Sequence, residues 1–313
     1  MKKIYAVYNG SFSSLEDIKI SPLSRAYTFS DSVYEVIPFY NFIAIAYKKH
    51  IYRLQNSCSA LGISINIEAI SSEIASLIED SNLKNGYVYY QISRGIDALR
   101  SHMYEDSLDV ETFGYAVEHN FNPQTLKVSV CEDIRWQRCD IKSTSLLGNV
   151  LSMNEAKKDG CNEVIMHKAN LLTEGGASNI FFATDECIYT PSLANNILPG
   201  ITRDLLIKEI RNLGLNFEEG DYSLDELSNA KSIWLTSSTK GLAQVTEIAN
   251  LNTNLITNHK LFLECEKSFN NKYLTYRLVE LTYFRVHTKI VLLKSLPDLL
   301  MLNQDDIFVF AMA

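Results

Sequence analysis

The chain has 313 residues, 46% of them hydrophobic and 21% charged, with few Gly and Pro, which excludes a disordered or fibrous protein and leaves room for two ordinary domains. A formal net charge of -8 without any dense Lys/Arg block argues against nucleic acid as a partner but leaves small anions open. No apolar run approaches the ~20 residues of a membrane span, Asn9 and Gly10 cut short any signal-like start, and the six cysteines are scattered without metal-ligand spacing, so a cytoplasmic protein with reduced thiols is expected.

The first third reads as strand-rich. Lys3 to Val7 leads into the turn dipeptide Asn9-Gly10, and Ile18 to Ile20 reads as a short strand before Pro22. Ser32 to Tyr40 and Phe42 to Tyr47 flank Asn41 as hairpin strands would, with Tyr34 and Glu35 on opposite faces, so that one can line a cavity while the other supports the sheet. Ile51, Leu54, Cys58 and Leu61 at helical spacing predict a helix over Lys49 to Leu61, and a second helix follows over Ile67 to Glu79. A strand over Gly86 to Ser93 precedes a loop carrying Arg100 and His102, and the polar segment ending at Gln124 is the expected linker, 119–124, between domains 1–118 and 125–284.

Beyond the linker, a strand over Leu126 to Cys131 continues through Lys142 into a helix from Ser145 to Lys158, closed by Gly160. A strand over Glu163 to His167, a turn at Thr173 and a hairpin, Asn179 to Ala183 with Cys187 to Thr190, come next. The segment from Leu198 reads as a loop entering a helix capped by Thr202, and the strand Ser232 to Leu235 runs into a hydroxyl-rich loop ending at Gly241. The tail, 285–313, is apolar and irregular, has no evident role and reads as a peripheral helix or loosely packed extension.

Certain residues in this frame carry chemistry together. Lys142, at a strand end and flanked by hydroxyls, is a candidate amine nucleophile if partial burial removes its proton. A phosphate needs donors without acceptors; the helix start at Ile201-Thr202, the pair Ser237-Ser238 and the guanidinium of Arg53 supply them. Glu174 is a carboxylate of the kind that keeps a pyridine nitrogen protonated. Lysine, carboxylate and two phosphate loops converge on one cofactor, pyridoxal 5'-phosphate.

Four motifs then appear in order: Asp133-Ile-Arg-Trp-Gln-Arg-Cys-Asp-Ile-Lys142-Ser143, Leu146-Leu-Gly-Asn-Val-Leu151, Thr173-Glu-Gly-Gly-Ala-Ser-Asn-Ile-Phe181 and Gly200-Ile-Thr-Arg-Asp204. With them the chain resembles, over Tyr5 to Ile248, the fold type IV pyridoxal phosphate enzymes, and most closely the D-amino acid aminotransferases. The resemblance implies a two-domain α+β fold, with a smaller N-terminal α/β domain and a larger C-terminal domain built on a β-barrel-like core. It implies that Lys142 is the Schiff-base lysine and general base, that Glu174 is the pyridinium partner, and that Arg53, Ile201, Thr202, Ser237 and Ser238 hold the phosphate. It places Ser178 and Asn179 below the ring, Tyr34 at the substrate, and Arg100 and His102 as a carboxylate trap reaching in from the other subunit of a homodimer.

The implied reaction is ping-pong transamination, D-alanine and 2-oxoglutarate giving pyruvate and D-glutamate. A branched-chain L-amino acid aminotransferase, an aminodeoxychorismate lyase of the same fold, or a drifted, non-catalytic cofactor-binding dimer are the alternatives. The chain departs from the family at Ser30 and Ser32, where glycines are usual, and at Gly241 and Gln244, where Glu and Pro are usual. A serine at a position with positive φ would cost stability close to Tyr34.

Overall fold

The computed structural model describes residues 3–194 and 196–274, together with two short paired strands, Arg285–Val286 and Lys289–Ile290. Apart from these strands, the expected tail 285–313 lies outside the described residues.

The first part of the chain forms β1 (Tyr5–Tyr8), β2 (Ser11–Ser14), α1 (Arg25–Phe29), β3 (Ser32–Tyr40), β4 (Ile43–Ala44), α2 (Tyr47–Ala60), α3 (Ile67–Asp80), β5 (Asn85–Ser93) and β6 (Glu111–Glu118). Its strands make one antiparallel sheet in the order β2-β1-β6-β5-β3-β4. The period of two decides the faces. Val88, Tyr90 and Ile92 of β5 turn inward, with Val33 and Ile37 of β3, against the Ile51, Leu54 and Cys58 stripe of α2 and the Ile70, Ile74, Leu77 and Ile78 stripe of α3. On the other face Tyr34, Tyr89 and Tyr115 stack in series, 5.5 and 5.2 Å between centroids. α3 starts where Asn66 accepts the amide of Ala69, as an N-cap does.

Residues 124–248 form β7 (Gln124–Glu132), α4 (Leu147–Lys158), β8 (Glu163–Lys168), β9 (Leu171–Gly175), β10 (Asn179–Ala183), β11 (Ile188–Pro191), α5 (Ile201–Asn212), β12 (Phe217–Gly220), α6 (Leu224–Ser228), β13 (Ser232–Ser237) and β14 (Gly241–Ile248). α7 (Lys260–Phe269) follows. The eight-stranded sheet has the order β12-β11-β10-β13-β14-β7-β8-β9 and curls into a half-barrel, so that β9 returns beside β10 and the Gly175 amide donates to the Ser178 carbonyl at 2.6 Å. Ile180 and Phe182 face the concave core with Val128, Ile165 and Leu235; Phe181 faces outward onto Trp234, Leu206 of α5 and Phe262 of α7. Burial on both faces explains why β10 reads as a continuous apolar run. This is the α+β fold with a barrel-like core that the motifs imply. No helix among the described residues is long and apolar enough to cross a membrane.

Several expected elements differ. Ile18 to Ile20 is not a strand: a single 3-10 turn, Leu15–Asp17, precedes it, and Ile20 is 51% exposed with no neighbouring strand to pair with. The second strand of the Asn41 hairpin is only Ile43–Ala44, because Ala46 at φ 51° swings the chain into α2 at Tyr47. Thr173 is in β9 rather than in a turn, and Thr202 is the second residue of α5, whose N-cap is Gly200. The long strands β6 and β14 are not among the expected elements, although Phe113, Tyr115 and Val117 of β6 alternate with the buried Gly114 and Ala116.

Ser30 sits at φ 54° as the C-cap of α1, and its hydrogen bonds to Ala26, Ser32 and Thr144 all use its backbone. A β-carbon there is strained, so Ser30→Gly is expected to stabilise the protein by about 1 kcal/mol. In urea this appears as a higher midpoint with an unchanged slope.

Candidate active site

Lys142 lies where the two sheets meet, and its backbone is held from both sides. Its amide donates to Ser57 Oγ of α2 at 3.2 Å, and its carbonyl accepts the Tyr34 amide of β3 at 2.9 Å. Ser143 bridges Val33, and the Thr144 amide donates to the Ser32 carbonyl at 3.1 Å. The side chain is thereby aimed across Tyr34, with Nζ 4.3 Å from the ring centroid. Strand alternation sends Tyr34 into the cavity and leaves Glu35 fully buried behind it.

Glu35 organises the phosphate end. Arg53 donates Nε and Nη2 to its two carboxylate oxygens at 2.7 and 2.8 Å, and His50 Nδ1 lies 2.7 Å from Oε2. Burial alone would raise the Glu35 carboxyl, but the Arg53 charge and His50 hold it well below the usual carboxylate range. Arg53 Nη1 reaches on to the Pro199 carbonyl at 3.1 Å, tying α2 to the loop that enters α5. The first intrahelical bond of α5 is Asp204 N–H to Gly200 carbonyl, so the amides of Ile201 and Thr202 are left for another acceptor at the positive end of the helix. Ser237 and Ser238, at the β13–β14 turn, line the same end of the cavity. Gly200 is required: a β-carbon there would come 1.8 Å from Asn179 Oδ1.

Glu174 closes the opposite end. It is 4% exposed; Arg135 Nη1 donates to it at 2.5 Å, Asn179 Nδ2 at 2.9 Å and the Leu198 amide at 3.1 and 3.2 Å. Burial lifts its carboxyl to about 7, against the pull of the Arg135 guanidinium and the Leu198 amide. Arg135 is a site residue that the sequence reading did not assign. Held by Asp133 through Nε at 2.9 Å and Nη2 at 2.7 Å, it lines the cavity and carries the charge facing Glu174. Its only signal was the Asp133-x-Arg135 spacing ahead of the lysine, which a solvated surface pair would share. Cys139 also lines the cavity, but burial pushes its thiol up to about 11, so it stays protonated and unreactive near neutral pH.

One cavity therefore collects Tyr34, Arg53, Lys142, Glu174, Ser178, Asn179, Ile201, Thr202, Ser237 and Ser238. Arg100 and His102 are not among its lining residues. They stand exposed on the loop after β5, both against Phe29: the Arg100 guanidinium is 4.6 Å above its ring and the His102 ring is 5.3 Å away. Arg25 Nη1 fastens that loop through Asp97 at 3.0 Å and the Ser101 carbonyl at 2.7 Å.

The amino-transferase class IV family profile matches residues 32–248, from β3 through β14. The chain belongs to the class IV aminotransferases. It is similar to the D-alanine aminotransferase of Listeria monocytogenes serotype 4b, 34% identical over 248 residues that cover 77% of this chain and 86% of that one. It is also similar to the D-alanine aminotransferase of Staphylococcus aureus strain N315, 33% identical over 268 residues, 83% and 93% of the two chains. Among solved structures, the branched-chain amino acid aminotransferase of Escherichia coli superposes with a TM-score of 0.79 at 21% identity, over 87% of this chain and 95% of that one. A putative 4-amino-4-deoxychorismate lyase from Legionella pneumophila gives 0.73 at 22%, over 82% and 96%. At that identity the superpositions speak for the fold alone.

Class IV aminotransferases depend on pyridoxal 5'-phosphate. The residues of this aminotransferase fit that cofactor: donors without acceptors at the phosphate end, a buried carboxylate with its own ion partner at the ring end, and an amine between them.

Proposed function

We propose that this aminotransferase works on D-amino acids, converting D-alanine and 2-oxoglutarate into pyruvate and D-glutamate, as a cytoplasmic homodimer with shared active sites. The observation that carries this reading is the Arg100-Ser101-His102 loop, fastened at its base yet displayed away from the cavity of its own chain. A guanidinium beside an imidazole matches a carboxylate, and from this position it serves a neighbouring protomer. The D-alanine aminotransferase relatives, near one-third identity over most of the chain, support the same substrate. All six cysteines are free, as a reducing compartment would keep them.

Bound pyridoxal phosphate supplies a carbonyl for amine exchange and a ring that takes up the electron pair left at Cα. The protein's own part is positional and protic. Arg53, the Ile201 and Thr202 amides, Ser237 and Ser238 hold the phosphate. Glu174, kept in place by Arg135 and Asn179, holds a proton at the ring nitrogen. Lys142 Nζ would hold the cofactor covalently at rest and, once free, would be the base that takes the Cα proton and returns it to the cofactor carbon. Because Arg100 and His102 grip the α-carboxylate, they fix which face of Cα meets Lys142, and this sets the stereochemistry.

The reading is tested by recording the cofactor absorbance with D-alanine and with L-leucine, each followed by 2-oxo acid assay. A shift and pyruvate release with D-alanine are expected; turnover of L-leucine alone would refute the proposal. Arg100→Met is expected to raise the KM for D-alanine by roughly 10- to 100-fold, the worth of a charged hydrogen bond. The thermal midpoint should not change, since Arg100 is exposed. An unchanged KM would remove Arg100 from the substrate site.

A further inference from the structure

The turn that joins β13 to β14 divides its residues between two tasks. Ser237 and Ser238 line the cavity, while Thr239 and Lys240 are not among its lining residues and bond away from it. The Thr239 carbonyl accepts His119 Nε2 at 2.7 Å, from the segment that joins β6 to β7. Lys240 Nζ donates to Glu163 Oε2 at 2.9 Å, at the start of β8 and 77 residues away in the chain.

The Glu163 side chain has no exposed surface, whereas that of Lys240 is 20% exposed. A carboxylate buried so completely is tolerated only with a charge partner and further donors. Besides Lys240, Glu163 accepts the Val164 amide at 3.2 Å and the Ser178 hydroxyl at 3.4 Å. Gly176 passes so close above it that a β-carbon there would come 2.8 Å from Oε1. Gly176 and Ser178 line the cavity beside Glu174, so this one carboxylate grips both the turn of the phosphate end and the segment of the ring end. Lys240 also orients the turn through its backbone, its amide donating to Ser237 Oγ at 3.2 Å. A hydroxyl has one proton and two lone pairs; with a lone pair taken by that amide, the Ser237 proton is left to donate to an anion in the cavity.

We propose that Lys240 and Glu163 are positioning residues that fix the spacing between the two ends of the cofactor site, and that they thereby supply part of the preference for a phosphorylated over a phosphate-free pyridoxal cofactor. This rests on Ser237 and Ser238 being the residues that hold the phosphate. The pair lies outside the cavity lining and acts through Ser237, Ser238 and Ser178. Because its two charges cancel, what it contributes is geometry rather than net charge.

Holoenzyme dialysed to equilibrium against graded pyridoxal 5'-phosphate, and in parallel against graded pyridoxal after exchange of the cofactor, tests the clamp, with bound cofactor read from its absorbance. The variant is Lys240→Met/Glu163→Gln, which removes both charges together, keeps the net charge of the chain and leaves no buried carboxylate without a partner. Its dissociation constant for the phosphorylated cofactor should rise roughly 10- to 100-fold, and that for pyridoxal by less than about threefold. Lys240→Arg, which keeps the ion pair, should bind both forms nearly as the wild type does. Unchanged affinity for the phosphorylated form in the double variant, an equal loss for both forms, or an arginine variant as weak as the double variant would each overturn the proposal. Ser237→Ala/Ser238→Ala checks the phosphate end by itself and should weaken the phosphorylated form at least as much as the double variant does. If it weakens neither form, the phosphate assignment falls and the clamp with it; if it weakens the phosphorylated form while the double variant does not, only the clamp falls.

Discussion

Lys142→Ala is expected to lower the rate of transamination by about 10⁴-fold or more, since one substitution removes both the amine that binds the cofactor and the base that moves the Cα proton. The fold should survive. Ser57 and Tyr34 hold Lys142 by its amide and carbonyl, so the contacts that seat the segment do not involve the side chain. Borohydride reduction and peptide mapping of the native enzyme should find a pyridoxyl group on Lys142, and the variant should yield none. A small amine such as methylamine, added to the variant, should recover part of the proton-transfer rate. A variant that keeps near-native activity, or a pyridoxyl group mapped to another lysine, would rule out the assigned role.

Glu174→Gln ranks next. The amide keeps the shape and an acceptor for the Leu198 N–H, but it cannot hold a protonated ring nitrogen as a carboxylate does, so activity should fall roughly 10²- to 10³-fold. Stability should respond with a defined sign in the cofactor-free protein. Burial lifts the Glu174 carboxyl from its ordinary 4.5 to about 7, so the folded state holds this proton more tightly than the unfolded chain does. Its contribution is fully present below about 4.5 and is lost as the pH rises through about 7. His50 works the other way: burial lowers its pKa below 6.5, so its contribution is present above that pH and fades as the pH falls. The wild type alone therefore mixes opposing slopes. The difference in unfolding free energy between wild type and Glu174→Gln isolates the first and should decline from pH 4.5 to 7; a flat difference would show that Glu174 is already ionised throughout. When the cofactor is bound, the positive ring nitrogen adds to Arg135 in favouring the carboxylate, so the loaded enzyme should lose that slope.

The two parts of the site were legible to different degrees. The phosphate end was close to readable because its signals are local: a helix start at Ile201, adjacent hydroxyls at Ser237 and Ser238, and an arginine on a helix face. Even there, the sequence suggested Thr202 as the cap; the helix starts two residues earlier, with Gly200 as the N-cap, whose carbonyl accepts the Asp204 amide. The alternation of Tyr34 and Glu35 predicted two opposite roles without saying which residue had which. Arg135 went unassigned because its importance comes from a partner 39 residues away. Arg100 and His102 were visible as a motif, but the cavity of their own chain does not contain them.

By itself the sequence determined what depends on short range: the α2 and α3 stripes, the alternating faces of β3 and β5, the buried run of β10, and the amine, carboxylate and phosphate donors that name a cofactor. Only the tertiary structure decided what those groups face. It clamps Lys142 between Tyr34 and a serine 85 residues away, ties Arg53 to a carbonyl 146 residues away, and buries Glu174 beside Arg135 so that its proton affinity rises to about 7. Periodicity and capping act over one or two turns of chain. Desolvation and ion pairing depend on which distant segments the two sheets bring together.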